Sequence, residues 1–261
     1  MFLFGSAAAT QTPQFVPNAE ARGWISESLA QLYQRLHPSP HAFVGGDVPT
    51  PRDIDGLFEL LCGLQREVDQ ADVEFSLQEG GAEGPPLPAG FAPLGDAKGH
   101  LLHTFAKAGE YVLVYLPQLF RVPELALASV ARELGRIAID RVGGLPEPVD
   151  DHDREGFVEL AAVTLGMGVW VANGAYVFEQ KCCGGGCGVD LGSVRAGLSM
   201  PEACFAVALD GRARDRSRRT MMRGLSPTQA AAFKSSWKWI GREGSQMRAL
   251  VSSASTGAIA D

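Results

Sequence analysis

Apolar residues recur at helical spacing from Glu20 to Leu36. Trp24, Ile25, Leu29, Leu32, Tyr33 and Leu36 form a stripe that Pro38 and Pro40 terminate. A second helix is predicted after Thr50-Pro51-Arg52-Asp53, with Thr50 as N-cap and Pro51 in the first turn, and it carries Leu57, Leu60, Leu61 and Leu64. At Val73–Leu77 the pattern changes to alternation, which predicts a strand. Residues 79–97, rich in glycine and proline, read as a flexible loop. Leu101–Ala106 and Glu110–Leu116 flank Lys107-Ala108-Gly109 and predict a hairpin. A helix follows over about 122–141, stopped by Gly143, Gly144 and Pro146. A longer apolar helix is predicted over about 155–178. Ser199-Met-Pro-Glu202 is a capping box, and Ser226-Pro227 opens a last helix containing Phe233, Trp237 and Ile240.

This order predicts an α+β fold, with a small N-terminal sheet that includes a hairpin and a helical C-terminal half built on a long buried apolar helix. The expected organisation is a tail at 1–18, one domain over 19–243, and a flexible C-terminal tail at 244–261. The nineteen residues Leu160–Phe178 lack any charge and are long enough to span a bilayer. However, Glu159 and Glu179 bound the run closely, Gly166, Gly168, Asn173 and Gly174 interrupt it, and no Lys/Arg cluster precedes it. A buried helix without stable membrane insertion is the expectation.

The 261 residues are 46% hydrophobic and 20% charged, which is ordinary globular composition. The net charge of −7 argues against a dedicated nucleic-acid binder. Five cysteines imply no disulfide framework, and the apolar start Met1–Gly5 lacks the positive region of a signal peptide, so a cytoplasmic location is expected. The one basic stretch, Asp210–Arg219 with Arg223, has no interleaved aromatic residue and two aspartates, and reads as an exposed helix end or loop. No phosphate-binding glycine loop, dinucleotide fingerprint or serine-nucleophile elbow is present.

The predicted helix at 122–141 contains Arg132-Glu133-Leu134-Gly135-Arg136. One reading is a solvated face with a few ion pairs, on which Arg132 and Arg136 have Ser129 and Asp140 nearby. A sharper reading starts from spacing. This is the footprint of H-E-x-x-H, in which two histidines one turn apart hold zinc and the glutamate between them is the general base, with arginine at both histidine positions. Glu159, on the next helix, is a candidate for the further acid such sites employ. The surroundings extend the likeness: Val48–Pro51, Gly109–Val114, Glu159–Ala175, Gly197–Ala203 and Phe233–Trp239. Together they resemble uncharacterised bacterial zincin-like proteins with an H-E-L-x-H helix, over most of residues 20–243. The resemblance implies a metallopeptidase-like fold. The departures imply lost chemistry, because a guanidinium offers no lone pair to a metal. Arg132 and Arg136 are instead expected to pair with Glu159, Glu133 or Asp140, giving an ion-pair knot or an anion-binding groove.

Three further groups carry ligating or acidic side chains. Cys182, Cys183 and Cys187 could bind a soft metal such as zinc with His152 or Cys204, or sense redox, although adjacent cysteines are awkward joint ligands. Asp150–Glu155 reads as acids favoured at a helix N-terminus. His100-x-x-His103 falls on a predicted strand, where residues three apart point to opposite faces. The functional expectation is a catalytically inactive metallopeptidase-like protein that binds a protein or a small anionic ligand. The alternative is an active hydrolase built on Glu133 and Glu159, or on a metal at the cysteine loop.

Overall fold

The computed structural model describes residues 15–39, 41–45, 47–81, 87, 89–145, 153–180 and 196–257. Helix α1 (Ala19–Leu36) is capped by Asn18, whose side chain accepts from the Ala21 amide at 2.8 Å. Helix α2 (Ile54–Glu67) starts later than the Thr50 signal suggests. Asp53 is its N-cap and accepts from the Gly56 amide, so Pro51 lies ahead of the helix rather than in its first turn.

Strands β1 (Phe75–Glu79), β2 (Ala92–Pro93), β3 (Leu102–Lys107) and β4 (Glu110–Tyr115) form one mixed sheet in the order β1-β4-β3-β2. β1 runs parallel to β4, and the other pairs are antiparallel. The hairpin closes at Lys107 and Glu110, as its composition predicts. β1 sits two residues later than the alternating run. The stretch expected to be loop contributes β2 to the sheet edge.

After a 3₁₀ turn (Pro117–Arg121) comes α3 (Pro123–Arg141), then α4 (Arg154–Ala162) and α5 (Gly168–Gln180). The remaining helices are α6 (Met200–Ala213), α7 (Arg218–Met221), α8 (Pro227–Glu243) and α9 (Ser245–Gly257). Ser199 and Glu202 form the expected capping box of α6. α3 lies between β3 on one side and α4 and α5 on the other, and every residue from Ala128 to Ile139 is buried. A helix enclosed on all sides must satisfy its own polar side chains internally.

Two boundaries differ from the sequence pattern. Residues 245–257 form α9 rather than a flexible tail, because Val251 and Ala254 are buried and the helix packs on α1 and α6. The long apolar run is also not one straight helix. Val163–Met167 forms a wide turn between α4 and α5, with Gly166 at φ +93°. The Gly166 carbonyl accepts from the Val44 amide, and a Cβ at Gly166 would lie 2.5 Å from the Ala42 carbonyl oxygen. Position 166 therefore demands glycine twice, by dihedral and by space. Gly166→Ala is expected to cost about 2 kcal/mol of stability, read as a lower urea midpoint. An unchanged midpoint would refute the backbone conformation described. The apolar stretch Arg154–Ala175 is long enough to cross a membrane, yet 94% of its most apolar window is buried inside the fold. That burial accounts for its hydropathy without a bilayer.

Candidate functional site

The buried polar residues of α3 converge with those of α4 and the start of β3. Arg132, Glu133 and Arg136 are 1%, 0% and 4% exposed, so they do not form a solvated face. Helical geometry puts Arg132 and Arg136 one turn apart on the side facing α4. Close approach there depends on Gly135, where a Cβ would sit 2.7 Å from the Val158 carbonyl oxygen.

Arg132 donates from Nε and Nη2 to Glu159 Oε1, at 3.0 and 2.6 Å. Glu159 also accepts from the Gly197 amide at 3.1 Å and the Leu198 amide at 2.8 Å, which ties the entry to α6 to the same carboxylate. Arg136 donates from Nε to Glu133 Oε2 at 3.0 Å and from Nη2 to Glu155 Oε2 at 2.8 Å. Its Nη1 serves the Leu94 carbonyl and Glu155 Oε1, and Nη2 also reaches Glu133 Oε1 at 3.4 Å. All five N–H groups of Arg136 thus have acceptors. Glu133 Oε2 further accepts from the Thr104 amide at 2.9 Å and the Thr104 hydroxyl at 2.8 Å.

Arg132 Nη1 lies 3.0 Å from His100 Nδ1. A guanidinium only donates, so Nδ1 is the acceptor and the His100 proton sits on Nε2, which points toward Glu155 Oε2 at 3.6 Å. The His100 and His103 rings stack with centroids 5.4 Å apart, and neither ring nitrogen of the buried His103 has a hydrogen-bond partner among the described residues. Opposite-face alternation does not apply to this pair because β3 begins at Leu102, leaving His100 in the preceding turn.

Burial lowers the His100 pKa to about 4, with the Arg132 charge adding to the effect against opposing pulls from Glu155 and Glu133. His103 is lowered by burial as well. Burial alone would raise the Glu133 carboxyl, but Arg136 and the two histidines outweigh it and hold Glu133 at about 2. Glu155 is likewise held below the usual carboxylate range, the hydrogen bonds and charge of Arg136 overcoming burial.

Of the expected participants, Arg132, Arg136, Glu133 and Glu159 meet in one network. Asp140 does not join it and instead accepts from the Tyr111 hydroxyl at 3.0 Å. Cys182, Cys183, Cys187 and His152 lie outside the described residues, and Cys204 is buried in α6. Sequence reasoning read Glu155 as one of the helix-start acids and set the histidine pair aside as pointing to opposite faces, and it missed Thr104. Glu155 stands one turn before Glu159 on α4, a spacing that was available as a signal. Thr104 carried no comparable signal.

The arrangement is an ion-pair knot rather than an anion-binding groove. A cavity of about 120 Å³ borders Arg136, Gly95, Arg154 and Val158, but the Arg136 donors are already committed to carboxylates and a carbonyl. A zinc ion does not fit at Arg132 and Arg136. Both residues present only donors, and the carboxylates beside them are taken up by guanidinium, amide and hydroxyl hydrogens. No family model, no curated protein and no solved structure matches this chain.

Proposed function

We propose that the chain is a zincin-like protein in which guanidinium–carboxylate pairs take the place of the metal, and that it acts by binding another protein, as a scaffold or regulator, rather than by hydrolysis. One observation carries this reading. The residue pair at histidine spacing on α3 is buried and fully paired, Arg132 with Glu159 and Arg136 with Glu133 and Glu155. The state of Glu133 supports the loss of chemistry. A general base works best with a pKa near the working pH and within reach of its substrate. Glu133 is 0% exposed, is held at about 2 and is occupied by Thr104 and Arg136.

Reversion at both arginines tests the proposal. Arg132→His with Arg136→His, prepared with zinc present and then compared by elemental analysis and calorimetry, is expected to take up about one zinc per chain at micromolar or tighter affinity. The natural protein is expected to show no casein hydrolysis. Absence of zinc uptake by a folded double variant would reject the zincin relation. Hydrolysis by the natural chain that Glu133→Gln abolishes would reject the loss of activity. Zinc in the natural chain that disappears on Cys182→Ser with Cys187→Ser would belong to the cysteine loop.

A further inference from the structure

Charge is distributed unevenly along this acidic chain. Residues 212–248 contain ten of the 23 Lys and Arg and only two of the 30 Asp and Glu, a net of +8. The remaining thirteen cations face 28 acids, a net of −15. Folding sorts the ten cations further. Arg214 turns inward to Asp210 and Tyr33, Arg216 lies over the Phe43 ring, and Arg223 approaches Asp47 at 3.7 Å. Arg218, Arg219, Lys234, Lys238, Arg242 and Arg248 remain exposed, and none of these six makes an ion pair among the described residues.

These six lie on elements joined at one end of the fold. Arg212, at the end of α6, donates from Nε to the Trp237 carbonyl at 2.9 Å and stacks its guanidinium 4.5 Å above the Trp237 ring. Gly211 abuts both Met221 of α7 and Trp237 of α8, and Gly241 abuts the Arg212 guanidinium. Arg248 of α9 is close enough to act electrostatically on Arg212. Lys234, Lys238 and Arg242, four residues apart, form a straight row about 12 Å long on α8. Of the two acids in the stretch, Glu243 acts on Arg22 and Asp215 lies in the turn before α7.

We infer that this α7–α8–α9 face binds the phosphate backbone of double-stranded nucleic acid without sequence preference. The density of charge favours a duplex over an anionic bilayer. Along one strand of a duplex the phosphates recur every ~3.4 Å of axis, so the α8 row spans about four of them. Trp237 lies under Arg212 and Trp239 under Arg22, so neither ring is offered for insertion among headgroups or for stacking on bases. The expectation of no nucleic-acid binding rested on net charge, on two aspartates within residues 210–219 and on the lack of interleaved aromatic residues there. In the fold Asp210 is buried and taken up by Arg214 and Tyr33, so it does not offset the exposed row on α8.

The test is fluorescence anisotropy of the full chain with a labelled 20-base-pair duplex of arbitrary sequence, titrated at 20 to 200 mM NaCl. With four or five phosphate contacts, affinity is expected to fall about 100- to 500-fold between 50 and 200 mM, a logarithmic slope near −4. Lys234→Glu with Lys238→Glu and Arg242→Glu, folded by circular dichroism, should weaken binding at least tenfold at 50 mM and reduce the slope by about 3. Absence of binding at 20 mM NaCl, or binding unaffected by the triple reversal, would overturn the inference. So would a preference for phosphatidylserine vesicles over the duplex, or salt-reversible self-association without duplex binding. Arg132 and Glu159 take no part, so the outcome is separate from that of the zincin proposal.

Discussion

Replacing Glu159 by alanine is expected to destabilise the fold by about 3–5 kcal/mol, the cost typical of removing one partner from a buried ion pair. Glu159 is 3% exposed and accepts four hydrogen bonds, two from Arg132 and one each from the Gly197 and Leu198 amides. Its loss takes from the Arg132 guanidinium, 1% exposed, the carboxylate that accepts its Nε and Nη2, and orphans two backbone amides at the start of α6. In a chain of this size the thermal midpoint should drop by roughly 10 °C. Adding Arg132→Leu to Glu159→Ala should recover part of the loss, because removing the second charge ends the uncompensated burial. The two amides would still lack acceptors, so recovery should be incomplete. A thermally silent Glu159→Ala would mean that the carboxylate is solvated and the α3–α4 network is not as described.

Acidification below about pH 6.5 should destabilise the protein through its buried histidines. His100 titrates at about 4 in the folded chain against 6.5 for the free side chain. Its folded pKa is depressed, so the unfolded chain takes up the proton first as pH falls, and stability declines from about pH 6.5 toward pH 4. The size of the shift corresponds to about 2–3 kcal/mol lost by pH 4.5, and His103 acts in the same direction. Glu133 follows the same sign at lower pH. Its stabilisation is complete above about 4.5 and is lost as pH falls toward 2, with Glu155 contributing similarly. Urea midpoints between pH 7 and 4.5 give the readout. His100→Asn, whose side-chain oxygen can replace Nδ1 as the acceptor for Arg132, should flatten the upper part of the profile. A flat profile in the natural protein would contradict the buried neutral imidazoles.

Legibility in the sequence followed locality. The hairpin, α3 and the α6 capping box depend on neighbours within a few residues, and their start and stop signals stand in the chain at the right places. The α2 start was misjudged because Thr50 and Asp53 are both competent caps, and only the accepted Gly56 amide distinguishes them. The break at Gly166 was less accessible. A glycine inside an apolar run looks the same whether it continues a helix or supports a positive φ, and the deciding contact comes from Ala42 and Val44, more than 120 residues away.

The candidate site divides in the same way. Arg132, Glu133 and Arg136 were recognisable as a group from their helical spacing, and Glu159 as the further acid that such a motif takes from the next helix. The sequence by itself thus determined which residues share a face of α3 and offered Glu159 on the next helix as their partner. Only the tertiary structure decided that this face is enclosed between β3 and α4, so that Glu155, His100 and Thr104 complete the pairing and every N–H of Arg136 has an acceptor. It also decided that Arg214 is buried while Lys234, Lys238 and Arg242 stay exposed on one row. The physical reason is that burial depends on what packs from distant parts of the chain. A charged residue in a sequence carries the same symbol whether its free energy is set by water or by a partner two helices away.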